Sequence, residues 1–240
     1  MDGKEKMGQC RSIKGMRPRL WIAIDGPAGS GKSTVARMLA RRLGLLHVDT
    51  GAMYRALTLK ALREGVDLQD EEALVELARR THITLTPACS GGGVRVFLEG
   101  EDVTEAVRSP EVSRSVSLVA RVPGVRELMV RWQREMAAQW GGVVMEGRDV
   151  GTVILPDAQL KVFLTASPEE RARRRQQDLL AQGYRVDLER LVQEISERDR
   201  LDRSRPVAPL VPAPDAWVID SSGLTAEEVV EMITARVLGG

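Results

Sequence analysis

The chain has 240 residues, of which 43% are hydrophobic, 29% charged and 3% aromatic, and its formal net charge is +1. This is the balance of a globular protein, and it excludes disordered, collagen-like and membrane-spanning classes. Six basic residues face two acidic ones within residues 1–19, so the rest of the chain has a net charge of −3. With so few aromatic side chains, that excludes a nucleic-acid polymer as the partner.

In chain order, the leader MDGKEKMGQCRSIKGMRPR (residues 1–19) lacks the apolar centre of a signal peptide and is expected to be a disordered basic tail, with the protein in the cytoplasm. Cys10 and Cys89 have no metal-ligand company and read as reduced thiols. Leu20 to Asp25 is an apolar run ending in a Gly/Pro/Ser loop, and Ser33 onward has helical apolar spacing, so the unit reads strand, loop, helix. Leu45–Asp49, Val143–Glu146, Leu160–Thr165 and Ala216–Asp220 are further short runs separated by helical patterns. They predict an α/β fold with a central parallel sheet flanked by helices.

His82 to Glu101 breaks that alternation with two strand-like runs bridged by Ser90–Gly93, which predicts an antiparallel hairpin. Ser109-Pro110 restarts helix and Val125–Gln139 continues it, placing an inserted β-containing subdomain at about residues 80–120. Ser167-Pro168-Glu169-Glu170 and Thr225-Ala226-Glu227-Glu228 both read as capping boxes. His47 and His82 stand isolated, and Trp21, Trp132, Trp140 and Trp217 fall in core-like patterns, so all are expected to serve packing.

Gly26-Pro27-Ala28-Gly29-Ser30-Gly31-Lys32-Ser33 fits GxxxxGK[ST] between a strand and a helix, with Thr34 following. Its glycines let backbone N–H groups turn inward around a phosphate, and the helix adds the positive end of its dipole. Lys32 is expected to reach the β/γ-phosphates of ATP, and Ser33 to hold Mg²⁺ directly or through water. The guanine-reading NKxD is absent, which leaves small-molecule kinases.

Three charged clusters would supply the acceptor side. Asp49-Thr50-Gly51-Ala52-Met53-Tyr54-Arg55 and Glu146-Gly147-Arg148-Asp149 each follow a strand, at the sheet edge where such folds bind ligands. On a helix turning about 100° per residue, Asp202 and Arg205 lie at about 40° and 340° from Arg198, so the three would face one ligand. A surface helix laced with ion pairs is the alternative. Arg171, Arg174 and Arg175 share one face of the helix that starts after Ser167 and could close over the triphosphate as a lid spanning about residues 167–185, with a solvated basic helix as the alternative.

IAIDGPAGSGKST, LLHVDTGAMYRAL, EGRDVGTVILPDA, SPEERARRR, ERDRLDRSRPVAPL and the terminal strand with DSS resemble, in order, the segments of bacterial cytidylate kinases, from Leu20 to the end of the chain. The resemblance implies a P-loop nucleoside monophosphate kinase fold with an enlarged monophosphate-binding insert and a helical lid. It implies transfer of the γ-phosphoryl group of ATP to CMP or dCMP with Mg²⁺. ATP would be held by Gly26 to Thr34 with Arg171 and Arg174, and the acceptor phosphate by Arg55, Arg148 and Arg205 beside Thr50. Arg198 and Asp202 would meet the sugar and adjacent phosphate, and Ser117, Arg126 and Asp149 would read cytosine. Lys32, Arg148, Arg174 and Arg205 would form the catalytic set of a monomer that touches neither nucleic acid nor membrane. Thr50 stands where some members carry serine, which preserves the hydroxyl. A kinase for UMP or another small acceptor, and a nucleotide-binding regulator without turnover, are the competing readings.

Overall fold

The computed structural model describes residues 20–87, 94–181, 183–205 and 207–239. The basic leader, both cysteines, the Ser90–Gly93 bridge and Pro206 lie outside the described residues. The strands are β1 (Leu20–Asp25), β2 (Leu46–Asp49), β3 (Ile83–Pro87), β4 (Val94–Leu98), β5 (Glu101–Asp102), β6 (Gly142–Gly147), β7 (Leu160–Thr165) and β8 (Trp217–Asp220). The helices are α1 (Lys32–Leu43), α2 (Thr50–Glu64), α3 (Glu71–Arg79), α4 (Pro110–Ala120), α5 (Pro123–Gln139), α6 (Pro168–Ala181), α7 (Leu188–Arg203) and α8 (Ala226–Leu238). A 3-10 turn (Ala106–Arg108) precedes α4, and a π-helical turn (Val150–Ile154) follows β6.

Five parallel strands form one sheet in the order β2-β6-β1-β7-β8. Alternation along the strands divides their side chains between two cores. Ile22, Ile24 and Val144 pack with Val35 and Leu39 of α1 and Val229 and Ile233 of α8. Ala23, Val143 and Met145 pack on the other face with Ala137 of α5 and with Val150 and Ile154 of the π turn. Burial on both faces is why these strands read as continuous apolar runs. β1 lies between β6 and β7, where the order of connections reverses, and this opens a crevice at the carboxyl ends of the strands. Register sets Asp25 beside Gly147 and Asp49 beside Glu146, so all these strand ends lie level.

The predicted hairpin is a three-stranded antiparallel sheet, β3-β4-β5. It packs Val96 and Leu98 against Ala52 and Ala56 of α2. α6 and α7 form a hairpin with its own small core of Ala172, Leu191 and Ile195.

Five local expectations are corrected. His82 is exposed, its Nε2 3.2 Å from Thr84 Oγ1, rather than packed. Trp140 caps α5 and is 40% exposed rather than packed. The box at Ser167 is half made: its Oγ accepts from Glu170 N, but its own N–H goes to Ser222 Oγ and the Glu170 carboxylate turns to Arg174. The box at Thr225 is complete. α7 ends at Arg203, so Arg205 lies beyond the helix and outside the periodicity that grouped it with Arg198 and Asp202. It meets Asp202 all the same, through a side-chain ion pair. His47 is not isolated, because parallel pairing of β2 with β6 sets its Nε2 3.0 Å from Glu146 Oε1.

Candidate active site

The loop from Gly26 to Ser33 leaves β1 through Gly26 at φ +148, where a Cβ would lie 1.9 Å from the Leu164 carbonyl oxygen. It enters α1 through Gly31 at φ +88, and α1 has neither a side-chain cap nor an acidic residue in its first turn. The first N–H groups of that helix therefore remain for an anion. Lys32 Nζ donates to Pro27 O at 2.7 Å and is 6% exposed. Burial and then Arg148 push its pKa down to about 7, against the pull of Glu146 and Asp25. Ser33 Oγ donates to Glu146 Oε2 at 2.7 Å, and His47 meets the other oxygen of that carboxylate. Thr34 is exposed on the first turn of α1.

Across the crevice four guanidinium groups gather. Arg55 pairs with Asp49, whose carboxyl also caps α2 through Ala52 N. Burial would raise the Asp49 carboxyl, but Arg55 and His47 hold it below its ordinary value. Arg148 donates Nε to Asp202 at 2.8 Å and Nη1 to Gly26 O at 2.8 Å. Arg205 takes the other Asp202 oxygen. Arg198 forms no ion pair among the described residues, and burial followed by Arg148 pushes its pKa down to about 10. Four cations thus meet two carboxylates, Asp49 and Asp202, and the Nε–H groups of Arg55 and Arg198 are buried without partners. Desolvated, partly uncompensated positive charge is the electrostatic signature of an anion site. Thr50 Oγ1 donates to Glu146 O at 2.8 Å, and Gly147 carries no side chain because a Cβ there would lie 2.5 Å from that hydroxyl.

Deeper in the crevice, Arg126 of α5 and Asp149 form an ion pair, 4% and 5% exposed. Arg126 also donates to Ala120 O at 3.1 Å and lies 5.8 Å from the Tyr54 ring centroid, and its Nε has no partner. Ser117 is half-buried on α4, one turn before Ala120.

The arginines of α6 diverge. Arg171 is 2% exposed, grips both oxygens of Asp199 on α7 at 3.0 and 2.6 Å, and also donates to Ala166 O and Ala28 O. Arg174 donates to the Ser221 hydroxyl and carbonyl, beside Gly31 of the loop. Arg175 is exposed. Sequence reasoning gave Asp25, Asp199 and Ser221 no role, His47 only packing, and Glu146 only membership of an acceptor-side cluster. The available signal for Glu146 and Asp25 was an acid closing an apolar strand. Partnerships such as His47 with Glu146, 99 residues apart, require the strand order.

Comparisons with known proteins agree with this architecture. The profile of the family described as cytidylate kinase matches residues 22–238. A cytidylate kinase from Pelotomaculum thermopropionicum is 63% identical over 91% of this chain and 96% of its own length. One from Geobacillus kaustophilus is 56% identical over 91% of this chain and 96% of its own. Among solved structures, an uncharacterized protein from Eubacterium ventriosum superposes with a TM-score of 0.50 at 15% identity, covering 92% of this chain and 99% of that one, a likeness of fold alone.

Proposed function

The chain belongs to the cytidylate kinase family, and from that premise we propose that it transfers the γ-phosphoryl group of ATP to CMP or dCMP. A phosphate oxygen of the acceptor attacks the γ-phosphorus, the bond to the β,γ-bridging oxygen breaks, and ADP leaves with that oxygen's electron pair. The acceptor oxygen is already anionic, so no strong base is required. The task is to align two mutually repelling anions and stabilise spreading charge.

One observation carries this reading: the cluster of Arg55, Arg148, Arg198 and Arg205 adjoins the phosphate loop, joined to it through Arg148 on Gly26 O. In this reading the loop and Lys32 hold the donor phosphates. The fork geometry of the arginines holds the acceptor phosphate with Thr50 at its edge. Asp202 keeps Arg148 and Arg205 oriented while Arg198 meets sugar and phosphate. Arg174 reaches the donor beside Gly31, and Arg171 braces the loop through Ala28 O instead of contacting phosphate.

Ser33 Oγ and Glu146 Oε2 are hard oxygen donors 2.7 Å apart, which suits Mg²⁺. Among the described residues no cluster of three or more acidic, cysteine or histidine side chains could hold a metal alone, which fits an ion that keeps waters and phosphate oxygens as ligands. When bound, Mg²⁺ would neutralise donor phosphate charge, and His47 would hold the Glu146 carboxylate in place.

For base choice, the Asp149 carboxylate accepts from the cytosine N4 amino group, and Arg126 with Ser117 donates to N3 and O2. Uracil would set its O4 against the carboxylate and its N3–H against a donor, a mismatch costing about 1–3 kcal/mol per buried group. No described helix is long and apolar enough to cross a membrane. ADP release measured with CMP, dCMP, UMP, AMP and GMP tests the reading. CMP and dCMP should exceed UMP by about tenfold or more in kcat/KM. Equal use of UMP, or no turnover with any acceptor, would overturn it.

A further inference from the structure

Asp25 closes β1 one residue before the phosphate loop and is 4% exposed. Both of its oxygens are engaged across the crevice floor: Oδ1 accepts from Val150 N at 2.8 Å and Oδ2 from Gly151 N at 2.7 Å. Those are the two residues that follow Asp149. The next carbonyl along the chain, Gly26 O, accepts from Arg148, the residue before Asp149. Asp25 and Gly26 therefore clasp the backbone and side chains on both sides of Asp149. Gly26 packs so closely on the Leu164 carbonyl that no Cβ would fit there. Lys32 acts on Asp25 only at a distance, without an ion pair among the described residues, so the direct partners of this buried carboxylate are the two backbone N–H groups. Burial pushes its pKa up to about 6 despite the two N–H donors.

We propose that Asp25 is a positioning residue for base selection, whose carboxylate fixes the turn that carries Asp149 and so sets where Asp149 meets the acceptor base. It touches neither acceptor nor donor. The inference rests on the reading of Asp149 and Arg126 as the base-reading pair. It adds a mechanical link: the strand that launches the donor loop also holds the group that selects the acceptor. Any variant at Asp25 can disturb the adjacent donor site, but CMP and UMP share that site, so such a disturbance cancels in the ratio of their efficiencies.

The test is kcat/KM for CMP and UMP in the wild type and in Asp25→Asn, Gly151→Ala and Asp149→Asn, with folding checked by circular dichroism. An asparagine offers one acceptor oxygen and turns an amide N–H₂ toward the second backbone donor, so Asp25→Asn should lower the CMP-to-UMP ratio about fivefold or more, chiefly through KM for CMP. Gly151→Ala keeps the carboxylate but sets a Cβ 3.3 Å from Asp25 Oδ2, and it should lower the ratio in the same direction by a smaller factor. It decides alone if Asp25→Asn does not fold. A ratio within about twofold of wild type in the folded Asp25 and Gly151 variants, while Asp149→Asn lowers it, would overturn the role of Asp25 and leave the base reading intact. An unchanged ratio in Asp149→Asn would overturn both.

Discussion

Arg148 is bonded to Gly26 across the crevice, its Nη1 2.8 Å from the carbonyl oxygen of the residue that opens the phosphate loop. Its Nε meanwhile holds Asp202 of α7 at 2.8 Å. One guanidinium thus spans the Gly26–Ser33 loop, the end of β6 and α7.

This geometry predicts that Arg148→Lys damages acceptor use despite the conserved charge, since an ammonium on a single stem cannot span both partners and grip a phosphate. kcat/KM for CMP should fall about 100-fold or more while KM for ATP changes by less than about fivefold. Steady-state kinetics with each substrate varied in turn checks it, and equal losses for both substrates would contradict the assignment.

Lys32 predicts a pH-dependent proton balance. Its pKa is lowered from 10.5 to about 7 in the ligand-free protein, so above that pH much of it is neutral, and an arriving phosphate favours the charged form. Binding of ADP at about pH 8 should therefore take up about one proton, an uptake that fades below about pH 6, where Lys32 is already charged. The same shift means that between about pH 7 and 10.5 the unfolded chain holds more protons at this site, so the contribution of Lys32 to stability rises with pH and is lost as pH falls through 7. Calorimetry of ADP binding in buffers of different ionisation enthalpy measures the uptake, and Lys32→Arg should abolish it.

Much of this arrangement was legible before the structure. β1 and β7 coincide with the predicted runs to the residue, because strands buried on both faces must be apolar throughout and end abruptly at Asp25 and Thr165. The strand-loop-helix frame of Gly26 to Ser33 was legible because its glycines and flanking apolar patterns are local. Helical spacing was sound inside helices and failed at their ends: Arg205 obeys no 100° rule two residues past the end of α7. Spacing on α6 put Arg171, Arg174 and Arg175 on one face, but could not show that Asp199, brought in by α7, occupies Arg171 while Arg175 stays exposed. A face is a local property, whereas its partner depends on how two helices fold back on each other.

The pair of Arg171 and Asp199 carries a stability prediction. Asp199→Asn leaves a guanidinium buried without its charge partner and should destabilise the protein by about 3–5 kcal/mol, whereas replacing both by apolar residues should cost much less. Urea denaturation of Asp199→Asn and of the double variant Arg171→Met/Asp199→Leu checks the non-additivity. Similar losses in the two would contradict a buried ionic brace.

α6 and α7 share a core of Ala172, Leu191 and Ile195 that is separate from the core of the sheet, which suits a unit that opens and closes as a body. Amide hydrogen exchange in residues 167–181 should slow when ATP and CMP are bound together, and Arg174→Ala should slow phosphoryl transfer. Exchange that is equally slow with and without the ligands would argue against a closing lid.

The central claim is that loop and arginine cluster form one in-line pair of anion sites. The most direct measurement is the affinity of a compound in which adenosine and cytidine are joined 5′ to 5′ through a polyphosphate chain. If the two sites adjoin as Arg148 implies, its Kd should lie about 100-fold or more below that of ATP or CMP alone, because one molecule gains both sets of contacts for a single loss of translational freedom. A Kd no lower than that of ATP would contradict the account.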